Sequence, residues 1–163
     1  MEIEFLENNE EITKRIIERL ALTFDEMIKI NKVEYKDNVY FIEERIPEIS
    51  IKKYLLRLNK YLCPSYSLFI ILPYIMDKII LNKEYNIILN EYIVHYIILT
   101  SILLVSKQYE DTVYTNKFYS EIGGLSLKKL NEYEILALKI INYDLSISDE
   151  LYNDYKNNLL KNK

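Results

Sequence analysis

Histidine, cysteine and paired carboxylates are the side chains best suited to chemistry, and this chain gives them little company. His95 is the only histidine and Cys63 the only cysteine among 163 residues, so no zinc tetrad can be assembled. His95 lies in the uncharged run Tyr92–Ser106, where a hydrogen-bonded core histidine is expected rather than a general base. Cys63 stands before Pro64 with no adjacent charge to lower its pKa, and reads as a core residue at a helix start. Glu110–Asp111 could hold a cation, but an acidic pair at the end of a helical run is more often a turn, and no loop has calcium-site spacing. Gly123–Gly124 lacks the length and the Lys-Ser/Thr ending of a phosphate loop and reads as a helix C-cap needing positive φ. Nothing joins a nucleophile, a base and an oxyanion donor. These residues indicate a protein without catalytic residues, cofactor or metal.

The surrounding elements read as helices. Half of the residues are apolar, while two glycines and three prolines leave little material for the turns of an all-β fold. From Asn9 to about Asn31, Ile12, Ile16, Ile17, Leu20, Leu22, Met27 and Ile28 largely keep a helical period. A polar connector spans 32–48, with Tyr40, Phe41, Ile42 and Ile46 expected to pack down. Ser50 caps a helix from Ile51 to about Tyr61. The next helix runs from Ser65 to Leu81, with a kink or break at Pro73. Asn90 caps a helix over 91–109 that is apolar on nearly all sides and therefore belongs at the centre. Segments 116–122 and 127–143 are shorter helices, and Ser148 opens a last one to about Leu159.

The expected class is therefore all-α: five helices, with the third buried, and one extra helix at each end. A single domain over 1–163 is expected, with 1–49 as N-terminal helix and connector, 50–146 as the five-helix unit and 147–163 as the C-terminal helix. Net charge is −4 and no basic stripe or arginine-rich run stands out, so no nucleic acid partner is expected. The longest uncharged run is shorter than the ~20 residues of a membrane span, so no membrane is expected either. One cysteine and an acidic start, M-E-I-E-F, fit an intracellular location in cytoplasm or nucleus. When free, the protein is expected to be monomeric.

The order of segments carries more than any single residue. They are I-P-E-I-S-I-K-K-Y-L-L-R-L-N-K-Y at 46–61, Y-I-M-D-K at 74–78 and V-H-Y-I-I-L-T-S-I-L-L-V-S-K at 94–107. Y-E-D, Y-T-N-K-F-Y and I-G-G-L-S follow, and L-N-E-Y-E-I-L-A-L-K-I-I-N-Y-D-L closes the series at 130–145. Together they resemble a cyclin box, particularly that of the P/U-type cyclins of phosphate and nutrient signalling. Tyr96, Lys78 and Pro73 depart from that pattern. The resemblance implies a regulatory subunit that binds and activates a cyclin-dependent protein kinase, doing no chemistry itself. It also places the partner contact at Lys107 and Glu134, which would bind main-chain groups of the kinase, and at Leu138, Tyr143 and Leu145 on the apolar part of the same surface. A charged pair at the rim of an apolar groove can fix a partner helix in this way. The alternative is a cyclin-fold scaffold or transcription-associated adaptor without kinase activation. One box and a negative charge argue against it.

Overall fold

The computed structural model describes residues 2–31 and 39–161, residues 2–7 by their backbone alone. It contains seven helices and no strand among the described residues: α1 Glu2–Ile30, α2 Ile51–Leu62, α3 Tyr66–Ile80, α4 Val94–Tyr109, α5 Asn116–Gly123, α6 Leu127–Ile140 and α7 Asp149–Leu160. Hydroxyl caps set several starts. Ser50, Ser126 and Ser148 accept hydrogen bonds from the backbone N–H of Lys53, Lys129 and Leu151, and Thr115 from that of Phe118, each satisfying a donor that the first helical turn leaves free.

α4 occupies the centre. Every residue from Ile97 to Ser106 is buried, and α3, α5 and α6 pack around it. α2 seats Tyr54 and Leu55 in the same core, and the Tyr54 hydroxyl donates to the Gly123 carbonyl at 2.8 Å. α1 lies on α2, α3 and α7 through Ile16, Ile17, Leu20 and Phe24, while α7 rests on α3 and α1. This is the arrangement expected from the sequence, five helices about a buried third with one more at each end.

Several local expectations are corrected. α1 begins at Glu2 rather than near Asn9, and Leu22 of its supposed apolar stripe is 58% exposed. Of the kink or break expected at Pro73, the break does not occur: α3 is one helix through it. The proline removes one backbone bond, at a cost of ~3 kcal/mol, but Phe69, Leu72, Ile75 and Met76 around it are buried, and their packing keeps the helix in one piece. α4 starts at Val94, because Asn90 caps a turn instead: its Oδ1 accepts from Tyr92 N at 2.9 Å. α6 ends at Ile140, and Asn142 and Tyr143 follow with φ of 53° and 56°. Tyr143 N donates to Leu138 O and Asn142 N to Lys139 O, the paired closing bonds of a helix stopped by a left-handed residue.

The two glycines have different reasons. Gly124 takes φ +69° with open space where a Cβ would be, whereas a Cβ on Gly123 would stand 2.2 Å from Leu99 Cδ2. Only the first is required by the turn; the second lets α5 approach α4. Of the connector, 32–38 lie outside the described residues. In the remainder Phe41 is fully buried against Tyr133, while Tyr40, Ile42 and Ile46 are each more than two-fifths exposed. Glu43 Oε1 accepts at 2.7 Å from both Lys129 Nζ and the Tyr133 hydroxyl, which ties the connector to α6.

Candidate partner-binding site

Lys107 stands in the last turn of α4, where a cation suits the negative end of the helix dipole. Glu134 lies two turns into α6, whose start is fixed by the Ser126 cap. The two side chains meet across the helices, Lys107 Nζ donating to Glu134 Oε2 at 2.7 Å. Glu134 Oε1 accepts from Asn116 Nδ2 at 3.2 Å, and the same amide donates to Asn131 Oδ1 at 2.8 Å. The carboxylate is therefore positioned by both neighbouring helices and only 16% exposed, while the ammonium is 40% exposed. Solvent-exposed pairs contribute only about 0–1 kcal/mol to stability, and this one, with its carboxylate mostly covered, stands at the upper end of that range. Their chemical value lies elsewhere: the ammonium has further N–H groups to give and the carboxylate further lone pairs to accept with.

The apolar residues are placed by the end of α6. Leu138 follows Glu134 by one turn, on the same side of the helix, and is half-buried against the core. The left-handed pair Asn142–Tyr143 turns the chain, leaving Tyr143 66% exposed. Leu145 is half-buried, and its carbonyl accepts from the Tyr109 hydroxyl at 2.6 Å, which fixes it to the same end of α4 that carries Lys107. Lys78 from α3 pairs with Asp144 Oδ2 at 3.4 Å, and the Tyr74 hydroxyl donates to Ser146 O at 3.1 Å. The segment after α6 is thus clamped at three successive residues. The structure brings Lys107 and Glu134 into direct contact and ties Leu145 to their helix. Leu138 and Tyr143 are joined through one backbone hydrogen bond, and no contact unites the Tyr143 ring with the pair. Asn116, Tyr109 and Tyr74 support the site without any spacing signal in the sequence that would have revealed them.

The chemically capable residues elsewhere have structural partners. His95 is buried, its Nε2 lies 2.7 Å from Ile49 O, and its ring packs edge-on to Tyr54 at 4.9 Å between centroids. With Nε2 carrying the hydrogen, Nδ1 is left without a hydrogen-bond partner, and burial holds the imidazole below its ordinary pKa against the pull of Ile49 O and Asp25. Cys63 is not a buried helix-start residue: it is exposed, ends α2 at φ 45°, and directs its thiol to Lys60 O. Glu110 accepts from Ser65 N and Oγ, at 3.3 and 2.7 Å, linking the end of α4 to the start of α3. Among the described residues no three His, Cys, Asp or Glu side chains converge to hold a metal ion, and no helix is long and apolar enough to cross a membrane.

A family profile described as Cyclin matches residues 9–145. Cyclin-U4-2 of Arabidopsis thaliana is 31% identical over 144 residues, covering 88% of this chain and 66% of the relative. Cyclin-U4-3 of the same plant is 33% identical over 109 residues, 67% of this chain and 49% of its own. PHO85 cyclin-like protein psl1 of Schizosaccharomyces pombe is 29% identical over 120 residues, 74% of this chain and 49% of its own. The alignments thus span about half to two thirds of these relatives' lengths.

Proposed function

The chain belongs to the cyclin family, and we propose that it acts as a regulatory subunit that binds a cyclin-dependent protein kinase and holds it in its active shape. The observation that carries this reading is the pair Lys107–Glu134, 2.7 Å apart beside the half-buried Leu138 and Leu145. An ammonium can donate to main-chain carbonyls at the end of a partner helix and a carboxylate can accept from main-chain amides. The apolar residues beside them would cover the partner's greasy face. A grip on backbone groups fixes position and needs little of the partner's sequence.

Activation then follows from differential binding. A kinase transfers phosphate only with its own Lys–Glu ion pair formed and its regulatory helix turned inward. A regulator that binds the inward conformation more tightly than the outward one shifts the population toward it, by no more than that difference in affinity. The clamped segment 141–147 suits this task, since an interface that is already ordered loses little entropy on binding.

The test is to combine the purified chain with candidate cyclin-dependent kinases and measure affinity and kinase activity together. Both should rise for a cognate kinase and be weakened about thirtyfold or more in Lys107→Ala or Glu134→Ala, as expected when one side of a buried charged contact is lost. Binding without activation would identify a scaffold. Binding unaffected by either variant would remove the site.

A further inference from the structure

α1, α3 and α7 pack on one another and border a cleft of about 370 Å³, within the ~300–1,000 Å³ usual for small-ligand sites. Its apolar lining comes from all three helices: Leu20, Phe24 and Met27 of α1, Pro73 of α3 and Leu159 of α7. The polar lining falls into two groups. Asp77 and Tyr155 are already joined, the hydroxyl donating to the carboxylate at 2.6 Å. Arg19 of α1 lines the cleft together with Asn158 and Lys161 from the end of α7. Arg15, one turn before Arg19, donates from Nη2 to Leu160 O at 3.2 Å, which brings that end of α7 to this part of α1.

Arg19 is the residue that the fold does not account for. It is half-buried, yet its guanidinium has no ion-pair or hydrogen-bond partner among the described residues. Its charged neighbours differ: Arg15 has Leu160 O, and Glu18 has Lys52 at 3.3 Å. Drawing a charge away from water is costly unless it is paired, and the planar fork of a guanidinium matches the two oxygens of a carboxylate. Lys161 adds a second cation to the lining, its Nζ bonded only within its own turn, to Asn158 Oδ1 at 3.3 Å. Two features limit the charge such an anion can carry. The last carbonyls of α7 form the negative end of its dipole, and Asp77 shares the cleft. Both disfavour a doubly charged phosphate and leave room for a single negative charge. The apolar lining gives the rest of the molecule a place out of water.

We propose that the cleft between α1, α3 and α7 binds a small organic monocarboxylate with an apolar body. Its carboxylate is held by Arg19 and Lys161, and its body lies on Leu20, Phe24, Met27 and Leu159. One molecule then touches all three helices, or two of them and Pro73, and braces α7 against the rest.

The experiment uses the full chain and octanoate, followed by titration calorimetry and by amide shifts of the isotope-labelled protein. Octanol and octyl phosphate keep the body and change the head. Octanoate should bind at millimolar concentration or below and shift amides of α1, α3 and α7 around the cleft. It should also raise the melting temperature and slow amide exchange along α7. Arg19→Gln should weaken binding about tenfold or more. The free variant should melt at the same temperature or higher, since the guanidinium has no partner to lose. Thr23→Trp, at an exposed position of the lining, should fill the cleft and block binding. No binding at millimolar octanoate, shifts centred elsewhere, or unchanged affinity in either variant would overturn the proposal. Octanol binding as tightly would remove the anion site, and octyl phosphate binding more tightly would overturn the choice of a monocarboxylate. None of these readouts involves a kinase, so the result stands apart from the reading of Lys107 and Glu134.

Discussion

Between Ile97 and Ser106 every residue of α4 is buried, whereas α7, which also packs on α3, has no fully buried residue. α4 is held by apolar area. α7 is held by half-buried side chains, Tyr152, Tyr155, Leu159 and Leu160, laid against the core, and by polar latches: the Tyr155 hydroxyl donates to Asp77 Oδ2 at 2.6 Å, Tyr152 and Ser67 share a hydrogen bond of 2.8 Å, and Arg15 Nη2 reaches Leu160 O at 3.2 Å. Apolar burial is non-directional and large in sum, while a hydrogen bond contributes little net but fixes a register. The contrast teaches that the centre of this molecule supplies stability and the flanking helix supplies placement. The Lys107–Glu134 pair belongs to neither, being close to neutral for the fold and available for a partner.

The centre should be the most sensitive region. Leu103 is fully buried, so Leu103→Ala is expected to cost about 2–5 kcal/mol through lost transfer energy and the cavity left behind. Urea denaturation measures it directly, and a loss as small as that of a surface change would break the contrast with α7.

His95 sharpens the same contrast through pH. Burial lowers its pKa in the folded protein, while the unfolded chain takes the proton at about 6.5. Its contribution to stability is therefore complete above pH ~6.5. As pH falls from there toward the lower folded value, it is lost at up to about 1.4 kcal/mol per unit. Asp77 runs the other way: burial raises its carboxyl despite the Tyr155 hydrogen bond, so its share is present at low pH and lost as pH rises through its folded value. The comparison with His95→Gln, whose stability should be flatter between about pH 5 and about pH 7, isolates the histidine.

At α7 the expected effect is smaller and local. Tyr155→Phe removes the donor to a buried-side carboxylate and should cost about 1–2 kcal/mol. Amide exchange should quicken along α7 while α4 stays protected, because weakly held elements open without the core. Equal acceleration in both helices would show that α7 is part of the central cooperative unit.

Much of this fold was legible because its signals are local. The serines at 50, 126 and 148 each stand immediately before a helix and do cap it, with Asp149 and Glu150 marking the first turn after Ser148, and an uncharged stretch around Ile98 and Ile102 could only be a centre. Asn90 misled because asparagine caps turns as readily as helices, and here the turn over 91–93 takes it first. At Pro73 the break does not occur, because packing on both sides outweighs the proline's local penalty. Contacts between distant positions had no signature at all: Glu43 with Lys129 and Tyr133, Asp77 with Tyr155, and Tyr109 with Leu145 join segments that no spacing rule connects. The candidate site lay between these cases. Lys107 and Glu134 were found through a resemblance in segment order, while their mutual ion pair and the Asn116 amide beside it came only with the structure.

The central claim is that this ion pair is spare for the fold and essential for the partner. Exchanging the two charges, Lys107→Glu with Glu134→Lys, separates these roles. The swapped pair can still form within the chain, but it gives up the Asn116 hydrogen bond and the favourable place of Lys107 at the end of α4, so the melting curve should fall by about 1–2 kcal/mol in stability while the fold stays intact. Main-chain carbonyls and amides of a bound kinase would each face the wrong group, and affinity should fall about thirtyfold or more. Titrating a cognate kinase with wild type and with the swapped variant, affinity and activity read together, decides the matter. Intact folding with lost binding and activation is the predicted result; intact folding with wild-type affinity would contradict the account.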